Sequence, residues 1–441
     1  MKRRSIFDEI ALKDVISFVV DNRGKTVPVE DSGIPLIATA NISNSELYPS
    51  VDTDRYVSEE IYSNWFRSHP QVDDVILTNK GSKNGEVCLV PNPVEFCIAQ
   101  DMVALRANKK IIHPKYLLAS LRSSLVQKRI KLLNVDAVIP HFKKSDFDKL
   151  FIPLPSLDVQ EFIGQIYFDI SLRIELNRKN NETLEGIAKA IFKSWFIDFD
   201  PVRAKVEGRS TGLPDEISSL FSDSFDDSEL GEIPRGWTVS EIGNVVECLG
   251  GGTPSTKETT FWKNGTNFWA TPKDLSSLAE PFLLDTAKKI TIDGVRKISS
   301  GVLPVGTVLL SSRAPVGYVA VTRIPVSVNQ GFIALKPSGN LSTEYLLNWT
   351  LANVQQFKDR ASGTTFPEIS KKSFRPIPIL IPKKEVLRNF TSQTSSIYER
   401  IVSSMKETAI LISLRDAFLP KLISGELRVP DAEKILEEVG I

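Results

Sequence analysis

Pro140, Phe147 and Pro155, in the first half of this 441-residue chain, reappear as Pro367, Phe374 and Pro382, each 227 positions further on. One shared offset means that the chain carries two copies of a single structural unit, so any fold assigned to one half must also hold for the other. Other pairs extend the repeat with small shifts. Val75-Ile-Leu-Thr-Asn-Lys80, Gly85-Glu-Val87 and Gln100-Asp-Met-Val-Ala-Leu105 correspond to Val308-Leu-Leu-Ser-Ser-Arg313, Gly317-Tyr-Val319 and Gln330-Gly-Phe-Ile-Ala-Leu335. Tyr116-Leu corresponds to Tyr345-Leu, and Ile37-Ala-Thr39 to Trp269-Ala-Thr271.

Each copy reads as short strands rich in Val, Ile and Leu, broken by Gly, Pro and Asn turns, with one helical stretch near 114–132 or 343–358. A different kind of sequence follows each copy. Residues 157–196 contain no proline, and Ile163, Ile166, Ile170, Leu184, Ile187 and Ile191 recur in steps of three and four or their sums. That spacing predicts a long amphipathic helix with a narrow seam. The 227 offset carries the seam onto Phe390, Gln393, Ile397, Leu411, Leu414 and Phe418. Helices of roughly 40 residues rise about 60 Å each. The centre of each seam turns polar, at Asn177, Arg178, Lys179 and Asn180, and at Ser403, Ser404 and Lys406. Two readings are open: a solvated stretch of helix, or polar residues that set the register of an antiparallel pair.

Hydrophobic residues at 41% and charged residues at 24% describe globular material, and the length implies two or three domains. No apolar run reaches the ~18 residues of a membrane span, and Met1 to Ile10 lacks a signal core, so a cytoplasmic protein without a membrane partner is expected. Cys88, Cys97 and Cys248 are odd in number and lie in strand-like runs, which predicts buried, inert thiols. The net charge is zero, but its distribution is uneven: +2 over residues 1–155, −2 over 156–199, −5 over 200–235, +5 over 236–382 and 0 over 383–441. Phosphate neutralisation needs clustered Lys and Arg, and the positive charge lies in the two repeated blocks.

Asn177-Arg-Lys-Asn-Asn-Glu-Thr-Leu-Glu-Gly-Ile-Ala-Lys-Ala-Ile-Phe-Lys-Ser-Trp-Phe-Ile-Asp-Phe-Asp-Pro-Val-Arg-Ala-Lys205 resembles the central conserved helix of type I restriction-modification specificity subunits. Leu230-Gly-Glu-Ile-Pro-Arg-Gly-Trp237 is similar to the opening of their second target-recognition domain. Gly251-Gly-Thr-Pro-Ser255, Ser362-Gly-Thr-Thr365, Ile152-Pro-Leu-Pro155 and Leu419-Pro-Lys-Leu-Ile-Ser-Gly-Glu-Leu427 extend the resemblance over essentially the full chain. The first copy departs from it, beginning at Ile6-Phe-Asp-Glu-Ile without a Pro-x-Gly-Trp opening, and carrying Val135-Asp-Ala-Val-Ile-Pro140 where the second has Gly363-Thr-Thr-Phe-Pro367.

The fold expected is therefore α+β: two similar mixed α/β target-recognition domains separated by two long antiparallel helices, a pseudo-twofold internal repeat. The expected layout is a first recognition domain at 1–155, a spacer helix at 156–199, an exposed acidic connector at 200–235, a second recognition domain at 236–382, a second spacer helix at 383–430 and a tail at 431–441. The resemblance implies that each domain reads one part of a split double-stranded DNA target, that the helices set the gap, and that they dock two methyltransferase subunits. It also implies that restriction subunits can join. Catalysis is not expected of this chain, which has no metal-ligand spacing among His69, His113 and His141, no phosphate loop, no dinucleotide fingerprint and no adenine-methyltransferase motif. No cofactor is expected on it either; S-adenosylmethionine, ATP and magnesium belong on partner subunits. A helical scaffold with protein-binding domains is the alternative.

DNA reading calls for Arg and Lys at phosphates and guanine, and for Asn, Gln, Ser and Thr at adenine and in positioning. The candidates in the first domain are Arg23, Lys25, Asn79, Lys80, Lys83 and Asn84. Those in the second are Thr253, Ser255, Lys257, Lys263, Asn264, Lys273, Arg313, Thr364 and Thr365. Taken singly, each reads more readily as a solvated loop residue. Lys80 and Arg313 occupy one position of the repeat, through shared function or a shared turn. Trp262, Phe268 and Trp269 read as core with base stacking as the alternative, and Trp195 and Phe196 as a partner-binding patch with core packing as the alternative.

Overall fold

In both halves an uninterrupted apolar run, Val75-Ile-Leu77 or Val308-Leu-Leu310, is buried on both faces, and this places it in the middle of a layered domain. The computed structural model describes residues 6–22, 26–133, 140–337, 341–363 and 367–439. Contacts divide the chain into two units, residues 1–178 with 405–441, and residues 179–404.

In the first unit the main sheet runs in the order β1 (Ile16–Val20), β5 (Met102–Ala107), β2 (Val75–Thr78) and β3 (Val87–Leu89), all antiparallel. Val75, Leu77, Val103 and Leu105 face one core with Tyr116, Leu117 and Leu121 of the helix α1 (Pro114–Arg122). Ile76, Cys88 and Ala104 face another, shared with Ile37 and Ile98. Those last two belong to a small sheet in which Ile34–Ile37 pairs antiparallel with Tyr56–Val57 and parallel with β4 (Cys97–Ile98). Glu9–Ala11 and Phe151–Pro153 close the unit as an antiparallel pair.

The second unit repeats this strand for strand. Glu247–Gly250, Phe332–Lys336, Val308–Ser311 and Val319–Thr322 form the main sheet in the same order, extended by Phe282–Leu283 at its edge. Asn267–Ala270 pairs antiparallel with Lys288–Ile290 and parallel with Val326–Val328, and Thr238–Glu241 pairs with Pro378–Ile381. A buried tyrosine joins helix to closing strand in each unit: Tyr116 Oη donates to Pro153 O at 2.8 Å, and Tyr345 Oη to Leu380 O at 2.7 Å. Burial raises both phenols above the usual tyrosine range, so they remain donors.

Each closing strand leads into a long helix, α2 (Leu157–Phe196) and α3 (Lys384–Ser424). Within the first unit the two run antiparallel. Ile163 shares a core with Leu419 and Leu422, Ile170 and Ile174 pack with Leu411, and Arg173 binds Glu407. Of the polar centre, the register reading applies to Asn177, whereas Lys179, Asn180, Ser403 and Lys406 are exposed. Asn177 is buried, and its Nδ2 donates to Glu407 Oε2 at 3.1 Å and Thr408 Oγ1 at 3.2 Å. Within the second unit the pairing is also antiparallel, with Phe196 against Phe390 at 5.0 Å and Glu185 close enough to Tyr398 to act on its phenol.

Three expectations are corrected. The seam does not continue through Ile187, which is 45% exposed. Asn181, Ala188, Phe192 and Trp195 are buried instead, and on the partner helix Thr394 and Tyr398 replace Gln393 and Ile397. A turn of 3.6 residues drifts against a 3.5 repeat, and the larger aromatic side chains claim the drifted face. Residues 200–235 are largely exposed, yet they are folded and not a bare connector. They form a helix, Asp200–Val206, and a hairpin of Phe225–Ser228 with Gly231–Pro234, and Phe221 is buried edge-on against Trp195. Aromatic residues spaced through the acidic run supply its core. The expected tail contains a helix, Val429–Val439, whose Ala432 lies in the core of the first unit.

Tyr345→Phe, which strands the Leu380 carbonyl, is expected to cost about 1–3 kcal/mol in denaturant unfolding. Glu407 is held below the usual glutamate range, chiefly by the Arg173 hydrogen bond, with Asn177 adding to it. Its contribution to stability is therefore present above the unfolded value of ~4.3 and is lost as pH falls through the depressed folded value. Urea midpoints of the wild type and Glu407→Gln should differ modestly at pH 7, because the pair is partly exposed, and converge as pH falls below the depressed folded value.

Candidate nucleic-acid interface

The strand β2 ends at Thr78, and the turn after it is built by backbone bonds: Gly85 N donates to Thr78 O at 2.8 Å and Asn84 N to Gly81 O at 3.1 Å. Residues 140–142 lie along this turn, with Gly81 N donating to Pro140 O at 3.0 Å and Phe142 N to Asn79 O at 2.8 Å. The second unit uses the same ladder, as Ile369 N donates to Ser312 O at 3.0 Å. Lys80 bridges His141 and Arg313 bridges Glu368, and His141 and Glu368 are themselves 227 apart. The equivalence of Lys80 and Arg313 thus has a structural cause, a shared turn. Both side chains remain partly exposed, Lys80 at 3.8 Å from Asp101 and Arg313 at 3.5 Å from Glu368.

Several candidates serve the turn itself. Asn84 Oδ1 accepts from Phe142 N at 3.3 Å, and Lys83 pairs with Glu86 at 3.4 Å. Asn79 Oδ1 is buried without a partner among the described residues. Arg23, Lys25, Thr364 and Thr365 lie outside the described residues.

In the second unit, loops from both sheets meet at one rim. Gly252 N donates to Val328 O at 2.9 Å, Asn329 N to Ala270 O at 3.0 Å and Ser312 N to Gly331 O at 2.8 Å. These bonds gather Thr253, Lys273 on the short helix Pro272–Ser276, and Arg313. The approach demands glycine: a Cβ on Gly251 would sit 1.9 Å from Val328 O. Ser255, Lys257, Lys263 and Asn264 are exposed on the excursion that follows, where Asn264 takes a left-handed φ of 59°. Trp262 anchors that excursion, donating from Nε1 to Ser255 O at 3.0 Å and meeting Trp269 edge-on at 5.0 Å. Trp269 is buried and donates to Gly252 O, so its role is packing. Phe268 is half-buried under Lys289, whose Nζ lies 4.5 Å from the ring centre.

Sequence reasoning passed over Gln330 and Lys371 on this rim. Gln330 was visible as the first residue of the repeated Gln-x-x-x-Ala-Leu run, and Lys371 as half of a basic pair with Lys372. A Cβ on Gly250 would lie 3.2 Å from Lys371 Nζ, which puts that lysine beside the glycine loop.

The sequence matches the type I restriction modification DNA specificity domain over residues 7–186 and again over 234–401. The chain belongs to this family. Each match runs from the start of one domain into the long helix that follows it. This DNA specificity subunit of a type I restriction-modification system is 27% identical over 399 residues to the HindI specificity subunit of Haemophilus influenzae, an alignment covering 80% of this chain and 86% of that one. It is 35% identical over 197 residues to the MjaIX specificity subunit of Methanocaldococcus jannaschii, covering 44% and 45% of the two chains. The crystal structure of a type I S subunit from M. genitalium shares the fold, with a TM-score of 0.62 at 14% identity over 96% of this chain and 97% of that one. Among the described residues of the subunit, no helix is long and apolar enough to cross a membrane.

Two further expectations meet the geometry here. The three cysteines are buried thiols, and burial pushes Cys97 up to about 12 and Cys248 to about 11. Trp195 and Phe196 offer no partner patch on this chain, being 3% and 5% exposed in an aromatic core with Phe221, Trp237, Tyr345 and Phe390. The long helix ends among domain residues, and its terminal aromatic pair is used there. Trp195→Ala is accordingly expected to lower unfolding stability by about 3–5 kcal/mol, as a core truncation does, in the chain without partners.

Proposed function

We propose that this specificity subunit reads a split double-stranded DNA target, one part per unit, with the two long helices setting the gap and docking two methyltransferase subunits. Methyl transfer and cleavage then reside on partner chains, restriction subunits among them, which hold S-adenosylmethionine, ATP and magnesium. The observation that carries this reading is the repetition of one sheet system and one basic turn position, Lys80 and Arg313, in both halves. Two copies of one reader on a helical spacer suit a target in two parts, for which a helical turn of DNA is about 34–36 Å.

In this reading Lys80, Lys83, Arg313, Lys273, Lys257 and Lys263 act at phosphates or guanine edges, and Thr253, Ser255 and Asn264 position the duplex. Arg23, Lys25, Thr364 and Thr365 are assigned with them from sequence, and Asn79 and Asn84 shape the turn that carries Lys80. Selection of duplexes from a randomised pool by the assembled methyltransferase complex tests the whole scheme: a two-part motif with an unspecified gap is expected, and enrichment of no motif would overturn it. If Arg313 contacts a phosphate, Arg313→Ala should weaken binding of every sequence alike and reduce the salt-dependence slope by about 1. A changed base preference with an unchanged slope would assign it to a base instead.

A further inference from the structure

Gln330 stands on a turn whose backbone is held from three sides. Asn329 N donates to Ala270 O, Gly331 N donates to Asn329 Oδ1 at 2.9 Å, and Gly331 O accepts from Ser312 N. A Cβ on Gly331 would lie 3.0 Å from Pro272, so the turn sits tightly against the segment that bears Lys273. The Gln330 side chain is nevertheless exposed, and its amide is tethered on one side, because the Thr253 hydroxyl lies 2.5 Å from Oε1 and donates to it. Oε1 keeps a second lone pair, and Nε2 has no partner among the described residues.

An amide presented with one free acceptor and one free donor, side by side, matches one base edge in the major groove. Adenine offers the N6 amino donor and the N7 acceptor at the spacing a Gln amide spans, whereas guanine offers two acceptors there and repels Oε1. The segments bonded to or packed against this turn each carry a cation, Lys273 next to Pro272 and Arg313 next to Ser312, the latter 3.5 Å from Glu368, and such residues suit phosphates. Resting on the DNA-reading role proposed above, we infer that Gln330 reads an adenine in the half-target of the second unit, with Thr253 as the positioning residue that holds its amide.

The Thr253 hydroxyl matters here for position: it can donate to Oε1 or accept from Nε2, so it restricts where the amide lies, and the donor and acceptor of the adenine edge select which end faces which. The side chain of Gln330 is exposed, so its replacement leaves the core untouched.

The test uses the assembled complex and its own selected motif. The wild type should require A·T at one position in one half of the motif. Gln330→Ala should relax that position alone, by roughly tenfold or more in discrimination, and leave the other half unchanged as an internal control. Thr253→Val should relax the same position in part. Replacing that adenine by 7-deazaadenine, which lacks the N7 acceptor, should weaken binding by the wild type and have no effect on Gln330→Ala. A motif that Gln330→Ala leaves intact, or a relaxed position that is G·C, would overturn the inference without touching the proposed function. Failure of the wild type to select any motif would overturn both. Equal sensitivity of wild type and variant to 7-deazaadenine would exclude the Nε2 to N7 bond.

Discussion

A strand buried on both faces has no room for a polar side chain along its length, so polar groups appear where it ends. Val75–Thr78 and Val308–Ser311 are such strands, covered by a helix layer on one side and a small sheet on the other. Burial of large aliphatic side chains such as Val75, Leu77, Val103 and Leu105, or Val308, Leu309, Leu310 and Leu335, provides the driving force, at ~25 cal/mol for each Å² removed from water. The consequence is spatial. Thr78 and Ser311 are the first places where hydroxyls enter, and Lys80 and Arg313 follow within two residues. Polar and cationic side chains collect at the rim because the sheet interior excludes them.

The long helices are governed by a different constraint. In a 40-residue amphipathic helix, repeated apolar steps alone permit several registers, each sliding by a heptad. Asn177 removes that freedom in the first unit, since its amide is buried and finds Glu407 and Thr408 on the facing helix, while Arg173 neutralises the same carboxylate. A slipped register would leave Asn177 desolvated without partners, at a cost of about 1–3 kcal/mol. In the second unit the same helices bury aromatic residues, and the shape of Phe192, Phe196 and Phe390 fixes their fit. The two ends of one helix pair thus rely on a hydrogen-bonded register in one unit and on ring packing in the other.

Glycine completes the rim at a few positions where backbone must approach backbone. Gly251 lies so close to Val328 that any side chain would overlap the carbonyl, and that approach brings Thr253 to Gln330. Packing therefore accounts for the glycines of the Gly-Gly-Thr-Pro stretch.

Sequence by itself determined the duplication, the mixed strand and helix content of each copy, the two long helices and the polar break in their seam. These rest on periodicity and on offsets within one chain, which are local or self-referential properties. Tertiary structure decided which helix face is buried, since Ile187 is exposed and Ala188 buried one position apart, Ala188 lying one turn before Phe192, which packs against Phe390 and Tyr345. It decided that the acidic stretch folds, because Phe221 and Phe225 gain their worth from Trp195 and Phe199, more than 20 residues away. It also decided that Trp195 and Phe196 are core, and that Thr253 meets Gln330 across 77 positions. Residue types and spacings carry the information for contacts within a turn or a strand. Contacts between distant loops depend on how the sheets stack, and no local pattern in the chain encodes that.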